Sequence, residues 1–117
     1  MNKIIHKEAV DQLFEAILTL NSKEECYSFF EDLCTVNELL AIAQRYEVAQ
    51  MLDQSCTYLD IAHKTGASTA TISRVNRSLN FGEGGYQITF ARRRGDGERE
   101  KQQGKSPAVF SLTRFAG

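Results

Sequence analysis

Hydrophobic positions recur at helical spacing along most of the chain. Val10, Leu13, Phe14, Ile17 and Leu18 stand at i, i+3, i+4, i+7 and i+8, with Lys7, Glu8, Asp11, Gln12 and Glu15 on the other side. That pattern predicts an amphipathic helix over residues 6–20. Ser22-Lys23-Glu24-Glu25 has the form of a capping box, in which the Ser side chain accepts from a free N–H and the Glu reaches back. It opens a second helix with Cys26, Phe29, Phe30 and Leu33 on its apolar face and Tyr27 at the edge of that face. Thr35-Val36-Asn37-Glu38 repeats the box and starts a third, longer helix ending near Asp53.

The third helix has no single apolar stripe. Leu39, Leu40, Ile42, Ala43, Tyr46, Val48, Ala49, Met51 and Leu52 are spread around most of its circumference. A helix apolar on nearly all sides has to be covered on nearly all sides. A short chain has few elements to do this, and a second copy of the chain is the natural source of cover, which predicts a homodimer. The competing reading is a small monomer wrapped around a central helix.

A fourth helix starts at Thr57-Tyr58-Leu59-Asp60 and stops at Gly66, and a fifth follows Ser68 and runs to about Leu79. Gly82, Gly84 and Gly85 then end the helical pattern. The alternation across Tyr86–Phe90 suggests a short extended piece, the only such signal in the chain. The fold class is all-α. Residues 92–105 contain no aliphatic or aromatic side chain, so they bury too little to offset their ordering entropy and are expected to be disordered. The last dozen residues, with Val109, Phe110, Leu112 and Phe115, have no clear period. The expected organisation is a helical domain over 1–86 and a largely disordered tail over 87–117.

Composition narrows the function classes. The 117 residues, with one Pro and no Trp, suffice for one domain whose folding covers about two-thirds of the unfolded surface. No apolar run reaches the ~18 residues that a membrane helix needs. Met1–Glu8 lacks the apolar stretch and cleavage site of an export signal, so a cytoplasmic address is expected. Cys26, Cys34 and Cys56 are odd in number and include no Cys-x-x-Cys, and His6 and His63 stand far apart. Buried free thiols are expected rather than a disulfide scaffold or a metal site. The net charge of −1 hides a polarity. Residues 1–57 hold four Lys/Arg against ten Asp/Glu, whereas 58–117 hold ten against five. A polyanion would meet the second half.

The strongest motif lies in residues 58–77. A DNA-reading helix–turn–helix needs a sharp turn, a small residue where the helices touch, and apolar residues seating the second helix on the first. Gly66 supplies the turn, Ala62 the small contact, and Ile61, Ile72 and Val75 the inward side chains. Ser68, Thr69, Ala70, Ser73, Arg74 and Arg77 are left on or near the outer side of the second helix. Short hydroxyls and Ala allow close approach to base edges or thymine methyls, and arginines take phosphates or guanines. Ser68 and Thr69 also put free N–H groups and the positive end of the helix dipole toward a phosphate. The bland alternative is a solvated face of small polar residues.

Thr65-Gly66-Ala67-Ser68-Thr69-Ala70-Thr71-Ile72-Ser73-Arg74-Val75-Asn76-Arg77-Ser78-Leu79 resembles the DNA-binding segment of the Trp repressor superfamily. More closely, the chain resembles the Trp-repressor-like proteins of Gram-positive bacteria called the YerC/YecD family. Leu33–Leu39, Gln44–Ala49 and Asn80–Tyr86 carry further likeness, so the resemblance covers roughly residues 3–86. It implies an all-helical, intertwined homodimer reading a pseudopalindromic operator in double-stranded DNA, with two recognition helices about one DNA turn apart. By matched position, Thr69, Ala70 and Ser73 face bases, with Ser68 and Leu59 near the DNA. It also implies a small-ligand pocket in which an indole lies between two arginines. Arg45 and Arg74 stand at the matching places, and Thr35 and Ser78 match two polar contacts. Val75 stands where the Trp repressor has Gly, and Cys34 where it has a lining Leu. Tryptophan is therefore not expected as the effector, and another effector or none remains open.

Function classes follow. A DNA-binding transcription regulator, a repressor by analogy, acts by occupying its operator and needs no chemistry. No cofactor and no enzymatic activity are expected: Gly82-Glu83-Gly84-Gly85 follows a helix rather than a strand, and His63 and His6 lack a catalytic partner. The alternative is a helical protein–protein interaction module without specific DNA binding, a reading that the acidic first half favours. Arg92-Arg93-Arg94 reads either as extra phosphate contacts or as a solvated tail. Arg94-Gly95-Asp96 is an adhesion tripeptide only in an extracellular protein and is set aside.

Overall fold

The computed structural model describes residues 7–95. Six helices follow one another: α1 (Lys7–Ile17), α2 (Lys23–Leu33), α3 (Val36–Asp53), α4 (Tyr58–Thr65), α5 (Thr69–Phe81) and α6 (Gly85–Arg93). No strand occurs among the described residues, and the fold is all-α as expected. None of these helices is long and apolar enough to cross a membrane. Residues 30–91 form one compact unit, and of the remaining described residues 7–29 and 92–95 group in another. The residues expected to be disordered beyond Gly95 lie outside the described residues.

In the first unit α1 ends earlier than the pattern over 6–20 suggests. After Ile17 the chain tightens, with Thr19 N–H donating to Ala16 O and Leu20 N–H to Ile17 O, the three-residue spacing common where a helix ends. The cap on α2 forms with a shifted partner. Ser22 Oγ accepts from Glu25 N–H at 3.1 Å, and the Glu25 carboxylate accepts from Asn21 N–H at 2.7 Å, one residue before the cap. No residue of α1 or α2 is fully buried.

The second unit is built around the C-terminal half of α3. Val48 and Ala49 are buried with Ile61 of α4, Ile72 and Val75 of α5, Phe90 of α6, and Ala67 between α4 and α5. The reciprocal box at Thr35 is complete: Thr35 Oγ1 accepts from Glu38 N–H, and Glu38 accepts from Thr35 N–H. The N-terminal half of α3 keeps large apolar side chains exposed. Val36 is 73% exposed, Leu40 61% and Ile42 50%.

One expectation is overturned. Residues 86–90 are helical, not extended, and α6 carries the described fold across the domain boundary expected at 86. Alternation of Tyr86, Ile88 and Phe90 with Gln87 and Thr89 imitates a strand, but no strand among the described residues pairs with it. On a helix Tyr86 and Phe90 are one turn apart, and both meet the Tyr46 ring, at centroid distances of 6.1 and 5.6 Å. Thr89 Oγ1 donates to Tyr86 O, so its lone pair is available to the Tyr46 hydroxyl 2.6 Å away. The glycines before α6 end α5 rather than the helical pattern as a whole. A Cβ at Gly82 would collide with the Ser78 carbonyl oxygen.

Candidate nucleic-acid interface

α4, a three-residue connection and α5 pack together within one compact unit, and each joint has a local cause. Thr57 caps α4 by accepting from Asp60 N–H at 3.1 Å. Gly66 ends it with φ of +76°, in the left-handed region that costs an ordinary side chain energy. Its N–H donates to Ala62 O at 2.9 Å. Thr65 Oγ1 donates to Ile61 O at 2.7 Å and accepts from Ala67 N–H at 3.1 Å, closing the turn over the buried Ala67 methyl. Ser68 then caps α5, accepting from Thr71 N–H at 3.1 Å.

The two sides of α5 differ as the sequence implies. Ile72 and Val75 are buried against Ile61, Val48 and Ala49, and Ala62 packs beside them. Ser68, Thr69, Ala70, Ser73, Arg74 and Arg77 are all exposed. The rise of a helix puts Thr69 and Arg77 about 12 Å apart along the axis, so hydroxyls lead the exposed side and guanidiniums trail it. Leu59, in the first turn of α4, is 80% exposed. His63 is exposed on α4.

The four residues of the expected effector pocket do not gather in one place within the chain. Thr35 is engaged as the cap of α3, whereas Arg45 follows ten residues later, about 15 Å along the axis. A ligand touching both in one protomer would have to span that length. Arg45, Arg74 and Ser78 are exposed. Val75 is only 2% exposed, a member of the core rather than the wall of an open pocket. The three cysteines are free thiols and partly rather than fully buried. Burial and the neighbouring Glu25 carboxylate raise the Cys26 thiol above its ordinary range.

Two tertiary hydrogen bonds that sequence reasoning missed reach from α3, one to the end of α4 and one to α6. Gln44 Nε2 donates to Thr65 O at 3.1 Å, and Tyr46 bonds to Thr89 as described. Neither pair is joined by any periodicity.

A short helix, a tight turn and a second helix with a small polar outer side, seated on a long central helix, define an all-α protein of Trp-repressor-like fold. Residues 8–94 match the family described as Trp repressor protein, and the chain belongs to that family. It is 54% identical to the uncharacterised protein YerC of Bacillus subtilis (strain 168) over 92 residues, 79% of this chain and 88% of that one. Among solved structures, a TrpR-like protein from Eubacterium eligens ATCC 27750 is similar with a TM-score of 0.71 at 65% identity, over 73% of this chain and 88% of that chain. A Trp repressor candidate from Staphylococcus aureus has a TM-score of 0.71 at 50% identity, over 77% and 94%. The family is one of non-enzymatic regulators, and membership points to DNA binding and a regulatory role.

Proposed function

We propose that the protein is a sequence-specific DNA-binding transcription regulator, a repressor, acting in the bacterial cytoplasm as a homodimer. The observation that carries this reading is the division of α5, with Ile72 and Val75 locked in the core and Ser68, Thr69, Ala70, Ser73, Arg74 and Arg77 turned outward. α4 and α5 act as a helix–turn–helix, with α5 entering the major groove. Thr69, Ala70 and Ser73 approach base edges, and Arg74 and Arg77 take phosphates or guanines. Ser68 offers the helix N-terminus to a phosphate, and Leu59 lies against the DNA from α4. Repression is occupation of the operator, with no bond made or broken.

The dimer rests on the exposed half of α3, where Val36, Leu40 and Ile42 leave apolar surface on more than one side of the helix. A second copy crossing there covers that surface and sets two α5 helices on one side of the assembly. Tryptophan is not the effector in this reading, because Val75 is committed to the core. A pocket using Thr35 together with Arg45 and Arg74 would take its Thr35 from the second copy.

The test is selection of bound duplexes from a random-sequence pool at near-physiological salt, with sedimentation of the protein alone. A two-chain mass and a two-fold-symmetric enriched site are expected. Affinity should fall steeply with salt, and replacing Thr69 and Ser73 by Ala should erase the sequence preference. No enrichment with little salt dependence would overturn the reading and favour a protein-docking module instead.

A further inference from the structure

The carbonyl of Thr65 is the last in α4, at a point where the left-handed Gly66 turns the chain away from any continuing helical donor. Carbonyls at such an end need donors from elsewhere. Those of Ile61 and Ala62 are bonded locally, to Thr65 Oγ1 and Gly66 N–H. The Thr65 carbonyl bonds to Gln44 Nε2 of α3, 21 residues earlier in the chain, in a part-buried position. Apolar contacts among Ile61, Ile72, Val48 and Ala49 hold α4 and α5 against α3, but such contacts are non-directional. A part-buried hydrogen bond has a narrow range of distance and angle. It resists sliding of the turn along α3 in a way that packing alone does not.

We infer that Gln44 is a positioning residue for DNA reading: it fixes the α4–α5 turn against α3 and thereby the distance between the two recognition helices of the dimer. This rests on the dimeric DNA-binding reading above, in which the other half of α3 carries the second copy. One helix then holds both the interface and the pin, so their separation along α3 determines the half-site spacing that the protein accepts. Gln44 touches no base, and its loss should alter spacing tolerance rather than base preference.

The experiment uses the full chain with Gln44→Met, which keeps side-chain length and removes the donor, and Gln44→Lys, which restores a donor. In the free protein, Gln44→Met is expected to speed exchange of the Gly66 and Ala67 amides about fivefold, the scale of one net hydrogen bond, and to leave Val48 and Ala49 unchanged. On duplexes enriched by the wild type, inserting one base pair between half-sites should weaken wild-type binding about tenfold and Gln44→Met binding less than about threefold, because spacing is set by the dimer's geometry. Both proteins should bind a single half-site equally, and Gln44→Lys should behave as wild type. Unchanged amide exchange would overturn the pin itself, whatever the DNA results. Faster exchange with the spacing preference intact would overturn its role in spacing. If the exchange changes as expected while the wild type enriches no two-fold site, the regulator reading fails and the bond reduces to a structural one.

Discussion

The two halves of α3 have opposite surroundings, and the more apolar half is the more exposed. From Gln44 onward the helix is held on several sides: Val48 and Ala49 lie in the core, Gln44 bonds to the turn after α4, and Tyr46 bonds to α6. Before Gln44, Val36, Leu40 and Ile42 are at least half exposed. Hydropathy alone would assign them the other way, since the exposed half carries Val36, Leu39, Leu40, Ala41, Ile42 and Ala43, whereas the covered half includes Gln44, Arg45, Glu47, Gln50 and Asp53. The difference lies in neighbours, because α4, α5 and α6 all pack on the later half of the helix. An apolar surface that the described residues leave exposed invites a partner, and the reading proposed above supplies a second copy.

The sharpest way to break this comparison is to put the same charge into each half. Val48→Asp would bury an unpaired carboxylate, cost more than about 4 kcal/mol and abolish a cooperative thermal transition at every protein concentration. Leu40→Asp is expected instead to reduce the sedimenting mass from two chains to one. Retention of the two-chain mass would remove the exposed half as the assembly face, and a normal melting curve for Val48→Asp would undo the division altogether.

Smaller changes sharpen the picture within the covered half. Ile72→Ala leaves a cavity between α5 and α3 and should destabilise by about 3 kcal/mol in denaturant titrations. Gly66→Ala meets no atom within 4 Å, so its cost is the left-handed backbone alone, about 1–2 kcal/mol. A larger loss would mean that the turn is more crowded than the structure indicates. Thr35→Ala removes half of the capping box at the start of the exposed half and should cost about 1 kcal/mol.

The smallest effect concerns Cys26. Burial and the Glu25 carboxylate favour its neutral thiol, so the reactive thiolate appears only at higher pH than in an unfolded chain. Alkylation of native Cys26 should rise with pH later than alkylation of the denatured protein, as followed by mass spectrometry of labelled peptides. Coincident profiles would contradict the shift.

The local code was legible in particular residues. Thr35 with Glu38, Ser22 with Glu25, Thr57 and Ser68 announced helix starts, because a side-chain oxygen three residues before a free N–H can satisfy it without help from the rest of the fold. Gly66 announced the turn for an equally local reason, its left-handed backbone. The sides of α5 were legible because Ile72 and Val75 recur at helical spacing among small polar residues. Residues 86–90 misled, since five residues alternate equally well with a strand and with one helical turn. The choice belonged to Tyr46, forty residues earlier, whose ring Tyr86 and Phe90 reach together only on a helix.

By itself, the sequence determined the all-α class, the caps, the turn at Gly66 and the outward set of α5, all governed by residues a few positions apart. Tertiary structure alone decided which half of α3 is covered, that α6 is helical, and that Gln44 and Thr65 meet. A single Gln at the end of an apolar run has no pattern that names a partner 21 residues away. Hydrogen bonds of that range depend on where helices pack, and packing is settled by the whole set of side chains at once.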